Sequence, residues 1–311
     1  MSTTPMRTAV IGTGALGRHH VRIHGELAET ELVGIYDTNQ GVAQALADEH
    51  GTTVVPSFEA LLDAGLQAAV LAVPTVEHAK MGLQLLDAGV HVLVEKPIAA
   101  TVDEAEEMIA AAEAKGLVLA VGHVEFHNPA VQALLEQGLS PRFLETQRLG
   151  TFSPRSLDID VILDLMIHDL QILHALDPSP VREIRASGIE VLSHRIDIAN
   201  ARIELESGCV ANLTASRVSA QRNRKLRVFG PHLYCSLDYQ EQSLRSARVV
   251  PAEPRPEIIV APVEVPSAEP LKAENQAFLA ACRGEPSRYV DGRSGLRALR
   301  TALAVVEAIS T

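Results

Sequence analysis

The stretch Gly12-Thr13-Gly14-Ala15-Leu16-Gly17 determines the expected fold of the amino-terminal half of this chain. The apolar run before it is typical of a short buried strand, and the residues after it suit a helix. A second apolar run ends at Asp37, about 20 residues after Gly17, which is the spacing of a dinucleotide-binding βαβ unit. In such a unit Gly12 allows the tight turn, Gly14 lets a pyrophosphate approach the backbone, and Gly17 lets the helix pack closely. The positive end of the helix dipole then faces the phosphate charge.

Asp37 indicates which dinucleotide binds. A carboxylate at this position accepts hydrogen bonds from a ribose 2′-hydroxyl and repels a 2′-phosphate. Thr38 and Asn39 follow it, so no arginine stands there to hold a phosphate. We therefore expect NAD in preference to NADP; the alternative is that Asp37 only begins a turn.

Composition and charge limit the class of protein. The 311 residues suggest two domains, and a hydrophobic fraction of 47% is ample for their cores. A net charge of −12 disfavours nucleic acid and acidic membranes as partners, because both need a basic protein surface. The three cysteines form no disulfide or metal-binding pattern, so we expect no metal site. With no signal layout and no apolar run that could span a bilayer, a cytoplasmic protein is expected.

Short apolar strands alternate with amphipathic helices as far as residue 122. This alternation predicts a doubly wound parallel sheet with helices on both faces, a Rossmann domain at residues 1–122. We expect strands at residues 8–11, 32–36, 53–55, 68–72, 91–94 and 118–121, and helices at residues 15–28, 41–50, 57–64, 76–88 and 102–114.

The pattern changes after residue 122, because strands now follow one another with short glycine-containing links. Such links predict an open, mostly antiparallel sheet, in a second α/β domain at residues 123–311. We expect strands at residues 144–149, 183–191, 199–206, 209–217, 225–229, 233–238 and 258–265, and helices at residues 129–137, 161–175, 271–282 and 294–309.

Glu95 and Lys96 stand at the end of an expected parallel strand. Open α/β sheets place ligands at the carboxyl ends of their strands. A lysine in that place can donate hydrogen bonds to a substrate hydroxyl or to a ribose. We therefore interpret Lys96 as a candidate functional residue; the alternative is a solvated loop charge.

Asp164 and His168 are four residues apart in a densely apolar helix, so they share one face. Ionisable groups in such surroundings are costly unless they are paired or line a pocket. Histidine can take a proton near neutral pH, and an adjacent carboxylate can orient it. The pair is therefore a candidate acid or base with its orienting group, or else a buried pair that stabilises the helix.

The order of these motifs resembles the Gfo/Idh/MocA oxidoreductase family over nearly the whole chain. The motifs are the glycine stretch, the acidic strand end, Ala72-Val73-Pro74-Thr75 with His78, Glu95-Lys96-Pro97, and Asp164 with His168. The resemblance implies a Rossmann domain followed by an α/β domain whose open sheet binds substrate and often forms the oligomer interface. It also implies hydride transfer between a nicotinamide and a sugar-like secondary alcohol.

The resemblance also implies roles for individual residues. Lys96 would contact the nicotinamide ribose and the reacting hydroxyl, His168 would be the acid or base, and Asp164 would orient the substrate or His168. The cofactor would be bound by Gly12, Gly14, Ala15, Leu16, Gly17, Asp37, Pro74, His78, Glu95 and Lys96.

Residues 121–130 and 161–169 are similar to a nucleotide-sugar branch of this family, the UDP-N-acetylglucosamine 3-dehydrogenases. His123 and Glu125 are therefore expected to bind substrate, although polar residues that shape a loop are the alternative. Residues 126 and 127 are Phe and His where the branch usually has Arg and Phe, so a basic group that could hold a phosphate is missing there. Four residues could supply this charge or form a solvated sheet edge: Arg217, Arg222, Arg224 and Lys225.

These observations predict an NAD-dependent dehydrogenase that oxidises a secondary hydroxyl of a sugar, such as C3 of UDP-N-acetylglucosamine. His168 would take the hydroxyl proton while Lys96 stabilises the developing alkoxide. Two alternatives stay open, a dehydrogenase or reductase of a free sugar or inositol, and a non-catalytic dinucleotide-binding sensor. The resemblance further implies a homodimer or homotetramer formed through the C-terminal sheet.

Overall fold

The chain, described over residues 4–153 and 159–310 in a computed structural model, divides into two units. The first comprises the residues up to Val124 together with Leu271–Leu296, and the second comprises Glu125–Pro270 and the residues from Arg297 onward. The domain boundary expected at residue 122 stays a prediction, because compactness alone does not show which segment folds by itself.

The first unit contains the strands β1 (Met6–Ile11), β2 (Thr30–Tyr36), β3 (Ala68–Leu71), β4 (His91–Glu95) and β5 (Leu119–Gly122). The second unit contains β6 (Phe143–Leu149), β7 (Val181–Ile189), β8 (Ile198–Leu205), β9 (Val210–Ser216), β10 (Asn223–Gly230), β11 (Leu233–Asp238), β12 (Ser243–Val250) and β13 (Glu257–Val263). The α-helices are α1 (Gly17–Glu26), α2 (Gln40–His50), α3 (Phe58–Leu62), α4 (His78–Asp87), α5 (Val102–Lys115), α6 (Pro129–Leu135), α7 (Ile167–Leu176), α8 (Pro270–Cys282) and α9 (Gly292–Ser310).

The sheet of the first unit is parallel throughout, with the strand order β2-β1-β3-β4-β5. Its central strands are buried on both faces, as expected for apolar runs with helices on either side. The order reverses between β1 and β3, and ligands of open α/β sheets bind at such a switch point. The doubly wound N-terminal fold is therefore confirmed.

Capping residues explain where several helices begin and end. Thr101 and Glu104 form a reciprocal capping box at the start of α5, and Gly116 ends it with a φ of +65°. The side chain of Asn39 accepts from the Val42 amide at the start of α2. Local polar residues thus fix the helix bounds, while the apolar faces fix their packing.

In the second unit, the described strands form one sheet in the order β13-β12-β11-β10-β6-β9-β8-β7. Neighbours are antiparallel except for the parallel pair β6 and β9, so the expected open and mostly antiparallel sheet is confirmed. Buried and partly exposed residues alternate along β6 and β9, which places one sheet face on the core. Side chains of α6 and α7 fill that core.

Two local predictions were wrong. The strand expected at residues 53–55 pairs only at Val54, in a single bridge to Ile35. β12 was missed, because the sequence Ser-Leu-Arg-Ser-Ala-Arg-Val-Val alternates too weakly to mark a strand. The helix expected over residues 161–175 is present, and it contains a π-helical turn at Ile162–Met166 before it continues as α7. Among the described residues, no helix combines the length and apolar composition that crossing a bilayer requires.

Candidate functional site

The glycine stretch forms a tight turn between β1 and α1. Gly12 has a φ of +88°, and a Cβ there would lie 2.4 Å from the carbonyl oxygen of Ala72. A Cβ on Gly17 would lie 1.9 Å from the carbonyl oxygen of Gly12, whereas a Cβ on Gly14 would meet nothing within 4 Å. The first two positions therefore need glycine for the backbone itself, and Gly14 leaves open space beside the helix terminus. Ala15 and Leu16 are exposed in the same turn.

The carboxylate of Asp37 is tied to this turn. Its Oδ2 accepts from the Thr13 amide at 2.7 Å and the Thr13 hydroxyl at 2.8 Å, and its Oδ1 accepts from the Asn39 amide at 2.8 Å. Burial opposes the charge, but these hydrogen bonds outweigh it and lower the pKa of Asp37. The group is therefore ionised at neutral pH. The Thr38 side chain adds a fourth hydrogen bond, so a ribose hydroxyl would share the carboxylate oxygens with these donors.

A cavity of about 600 Å³ opens where β1, β2 and β3 end. Of the sequence-predicted residues, Gly12, Gly14, Asp37 and Pro74 line it. Thr38 and two members of the quoted motif, Ala72 and Val73, also line it. The lining residues that the sequence did not single out are Tyr36, Phe58, Glu59, Glu77, Lys80, Met81 and Gln84. The lining combines the rings of Tyr36 and Phe58 with three acidic residues, one lysine and open backbone, which suits a nucleotide, and the volume is in the range of ligand pockets. The site therefore fits a dinucleotide on its own geometry.

His78 is buried next to this cavity, between two loops. Its Nδ1 lies 2.9 Å from the carbonyl oxygen of Pro97, and its Nε2 lies 2.9 Å from that of Val73. Burial lowers the pKa of His78, while the two carbonyls oppose this shift. The imidazole thus connects the loop after β3 with the loop after β4. That second loop carries Lys96.

Glu95 ends β4 and Lys96 follows it. The Glu95 carboxylate lies against Gly122 of β5, where a Cβ would be 2.9 Å from its carboxyl carbon. Its Oε2 accepts from the Lys96 amide at 3.2 Å, and its Oε1 lies 3.0 Å from Nε2 of His20 on α1. Glu95 is therefore a buried anchor for the backbone of Lys96, whereas Lys96 itself is partly exposed.

In the second unit, the predicted pair Asp164 and His168 spans the π-helical turn and the start of α7. π-helical turns occur frequently at functional sites. His168 is buried and Asp164 is half-buried. The next residue, Asp169, is also buried. Two carboxylates and one imidazole therefore lie within six residues, in the π-helical turn and the first residues of the apolar helix α7.

Arg148 of β6 neutralises part of this charge, and the sequence analysis missed it. Its Nε and Nη2 donate to the two oxygens of Asp169 at 2.8 Å each, and its Nη1 donates to Oε1 of Glu125 at 2.7 Å. The guanidinium lies 4.7 Å from the ring centroid of Tyr239, whose hydroxyl donates to Asp169. Burial opposes the positive charge, but the two carboxylates outweigh it and raise the pKa of Arg148 well above its ordinary value. A lone arginine on the buried face of an alternating strand was the signal in the sequence.

The four basic candidates separate in the structure. Arg217 is buried, donates to the Ile159 carbonyl oxygen and pairs with Asp197 at 3.6 Å, so it holds loops together. Lys225 pairs with Asp238 at 3.8 Å. Arg224 lies 3.4 Å from Glu125, and burial together with the charge of Arg148 lowers its pKa. Arg222, two residues before Arg224, is exposed.

His123, at the end of the first unit, is fully buried.

The comparisons with known proteins agree with this geometry. Residues 6–123 match the family model GFO_IDH_MocA, described as an oxidoreductase family with an NAD-binding Rossmann fold. The chain is 39% identical to a UDP-N-acetylglucosamine 3-dehydrogenase of Acidithiobacillus ferrooxidans, across 98% of this chain and 97% of the relative. It is 25% identical to a scyllo-inositol 2-dehydrogenase (NAD(+)) of Bacillus subtilis, across 69% of this chain and 68% of the relative.

A solved structure titled UDP-N-acetylglucosamine 3-dehydrogenase GnnA from Acidithiobacillus ferrooxidans matches the fold with a TM-score of 0.91. The match has 37% identity and covers 99% of this chain and 98% of that one. The resemblance inferred from the motifs is thereby confirmed.

Proposed function

We propose that this chain, which belongs to the Gfo/Idh/MocA family of NAD-binding oxidoreductases, is an NAD-dependent dehydrogenase acting at C3 of UDP-N-acetylglucosamine. The observation that carries this proposal is the 39% identity, over 98% of the chain, to the UDP-N-acetylglucosamine 3-dehydrogenase of Acidithiobacillus ferrooxidans. The sugar-dehydrogenase class follows from the family, and the nucleotide sugar is our assignment within it.

Residues of the first unit would hold the dinucleotide. Gly12 and Gly14 would lie against the pyrophosphate at the start of α1, and Asp37 would accept from the adenosine ribose. When bound, NAD supplies the nicotinamide carbon that accepts the hydride. The lowered pKa of Asp37 keeps this carboxylate charged, which favours a free 2′-hydroxyl over a 2′-phosphate.

The protein's own groups would handle the proton and the developing charge. His168 would take the proton of the reacting hydroxyl, with Asp164 as its orienting group. Lys96 would donate a hydrogen bond to the same oxygen as it gains negative charge. Glu125 and His123 would bind the sugar, with Glu125 held in place by Arg148.

The experiment is incubation of the protein with NAD⁺ and a panel of UDP-sugars, free sugars and inositols, followed by the absorbance of reduced nicotinamide and the mass of the product. We expect turnover with UDP-N-acetylglucosamine, loss of two mass units from its sugar, and competitive inhibition by UDP. Faster oxidation of a free sugar or inositol without UDP inhibition would instead support the alternative enzyme. Tight NAD⁺ binding with no product from any compound would support the sensor.

His168→Ala tests the assigned base. General acid–base catalysis contributes about 10²–10⁴-fold, so kcat should fall by that factor while NAD⁺ affinity is retained. A loss smaller than about tenfold would remove His168 from this role.

A homo-oligomer formed through the C-terminal sheet, in the cytoplasm, completes the proposal. Support comes from the outer strand β13, where Ile258, Ile259 and Val260 are exposed. Contiguous exposed apolar side chains commonly mark interaction surfaces. Light scattering coupled to gel filtration would measure the mass, and Ile258→Lys should shift it towards the monomer.

A further inference from the structure

A continuous chain of buried polar groups runs through the first unit from β1 to the end of β4. The Thr8 hydroxyl lies 3.0 Å from Nδ1 of His24, and Nε2 of His24 lies 2.9 Å from Oδ1 of Asn275. Asn275 contacts Nδ1 of His20, whose Nε2 lies 3.0 Å from Glu95. Each member has less than a tenth of its surface exposed, so each contact replaces a bond to water.

Asn275 can satisfy every donor and acceptor at the centre of this chain. Its Nδ2 donates one hydrogen to the Leu271 carbonyl oxygen at 2.7 Å and the other to Nδ1 of His20 at 3.1 Å. Its Oδ1 accepts from Nε2 of His24. With Nδ1 of His20 acting as an acceptor, the proton of His20 stays on Nε2 and is donated to Glu95. Nδ1 of His20 also lies 3.2 Å from Oδ1 of Asn275. Because Oδ1 accepts from His24 and the Glu95 carboxylate needs a donor at Nε2 of His20, donation from Nδ2 of Asn275 to Nδ1 of His20 is the arrangement that satisfies all of these groups.

His24 is the fixed end of the chain. Burial, and then the neighbouring His20, lower the pKa of His24 to about 4. The imidazole is therefore neutral at physiological pH, with its single proton on Nε2, and its Nδ1 accepts from the Thr8 hydroxyl. Because this one proton is donated to Asn275, His24 cannot donate a hydrogen bond to His20, and Asn275 is the donor to Nδ1 of His20.

Glu95 passes this restraint to the backbone of Lys96. Its Oε1 accepts from His20 and its Oε2 accepts from the Lys96 amide at 3.2 Å, while Gly122 closes off the other side. A carboxylate held at both oxygens has one orientation. Without the donor at Oε1, the buried group would rotate towards another partner and release the Lys96 amide.

We infer that Asn275 is a positioning residue, which acts through His20 and Glu95 to fix the backbone of Lys96. The inference rests on the proposed function in one respect: the expected effect on kcat assumes that the Lys96 ammonium is held where the alkoxide of the substrate develops. The hydrogen-bond chain itself is independent of the substrate.

Two variants on α8 test the inference. Asn275→Leu keeps a side chain of similar size but removes every hydrogen bond. Phe278→Leu, one turn further along the same helix, removes buried apolar volume and leaves the polar chain intact. Because both weaken the packing of α8, a difference between them reports the polar chain and not stability.

The structural measurement uses selective ¹⁵N-lysine labelling, because the chain has only five lysines: Lys80, Lys96, Lys115, Lys225 and Lys272. The Lys96 amide signal should move in Asn275→Leu and stay in place in Phe278→Leu. Lys80, Lys115 and Lys225 serve as internal references. An unmoved Lys96 signal in Asn275→Leu would overturn the inference, whatever the activity of the protein.

The kinetic measurement uses NAD⁺ and the substrate found in the panel. A displacement of about 1 Å in a catalytic group can cost about 10²-fold, so kcat should fall about 10- to 100-fold in Asn275→Leu, with the KM for NAD⁺ within about twofold. Equal kcat values for Asn275→Leu and Phe278→Leu would overturn the inference. A wild-type protein that is inactive with every sugar would contradict the proposed function. The NMR measurement would still decide whether Asn275 positions the backbone of Lys96.

Glu274 supplies a further check. Its carboxyl oxygens are buried without a hydrogen-bond partner among the described residues, and they lie within 4.8 Å of ligand atoms of His20 and Glu95. Burial, and then the charge of Glu95, raise the pKa of Glu274 well above its ordinary value. Elemental analysis of the purified protein should find no stoichiometric metal. A divalent cation that disappears in Glu274→Gln would overturn the inference, because a metal-bound Nε2 of His20 could not donate to Glu95.

Discussion

Replacing Arg148 with methionine should be among the most destabilising single changes in the second unit. Arg148 has 3% of its side chain exposed and pairs with Asp169, at 1%, and Glu125, at 12%. Methionine keeps most of the volume but leaves both carboxylates without their main counter-charge. Breaking a buried pair from one side costs about 3–5 kcal/mol. We therefore expect the free energy of unfolding, measured by urea titration, to fall by that amount.

The matched control is Arg227→Met on the neighbouring strand β10. Arg227 pairs with Glu145 at 2.7 Å, as short a contact as in the buried pair, but its side chain is 43% exposed. Exposed pairs contribute about 0–1 kcal/mol, so this variant should lose little. In Arg148→Met with Asp169→Asn, removal of one orphaned charge should recover part of the loss. Equal losses for Arg148→Met and Arg227→Met would refute the reasoning from burial.

Four further substitutions test the first unit and the pH dependence of stability. Gly12→Ala should abolish NAD⁺ binding and destabilise the protein, because residue 12 has a φ of +88° and a Cβ there would strike the Ala72 carbonyl. Gly14→Ala should fold normally and weaken only NAD⁺ binding, as measured by calorimetry. Asp37→Ala should raise the Kd for NAD⁺ about 10- to 100-fold and that for NADP⁺ much less, and an unchanged ratio of the two would contradict its assignment. Burial lowers the pKa of His127 from 6.5 to about 4, so the unfolded state binds a proton that the folded state refuses between those values. His127 should therefore lower the unfolding free energy by up to about 3 kcal/mol as pH drops from 6.5 to 4. Burial also lowers the pKa values of His24 and His174 to about 4, so His127→Asn should make the slope in urea titrations shallower without removing it, and an unchanged slope would contradict the assignment.

The first unit could be predicted well from sequence because its signals are local. Each strand of the parallel sheet is a short apolar run, and the helix bounds at Thr101 and Gly116 are set by residues within one turn. The strand expected around Val54 failed for a non-local reason. A parallel edge strand forms only where its neighbour leaves hydrogen-bonding groups free, and Ile35 offers it a single bridge.

The candidate site divides in the same way. Gly12, Gly14, Asp37 and Pro74 were predicted and line one cavity, because the carboxyl ends of parallel strands meet at one edge of a sheet. Arg148 was missed because its partners stand 21 and 23 residues away, and no periodicity connects them. Sequence patterns identify which residues carry chemistry more readily than which residues hold them in place.

Asn275 shows why the positioning residues need the folded chain. It lies 255 residues from His20 in sequence, yet its amide is 3.1 Å from the imidazole. The segment Leu271–Leu296 returns to the first unit and brings Phe278 and Leu279 into the core that contains β1. In residues up to Val124 alone, His20 and His24 would lack the amide that pairs with both. A boundary drawn by sequence order describes where motifs change, whereas the support of Lys96 depends on a helix that the chain adds only after completing the second sheet.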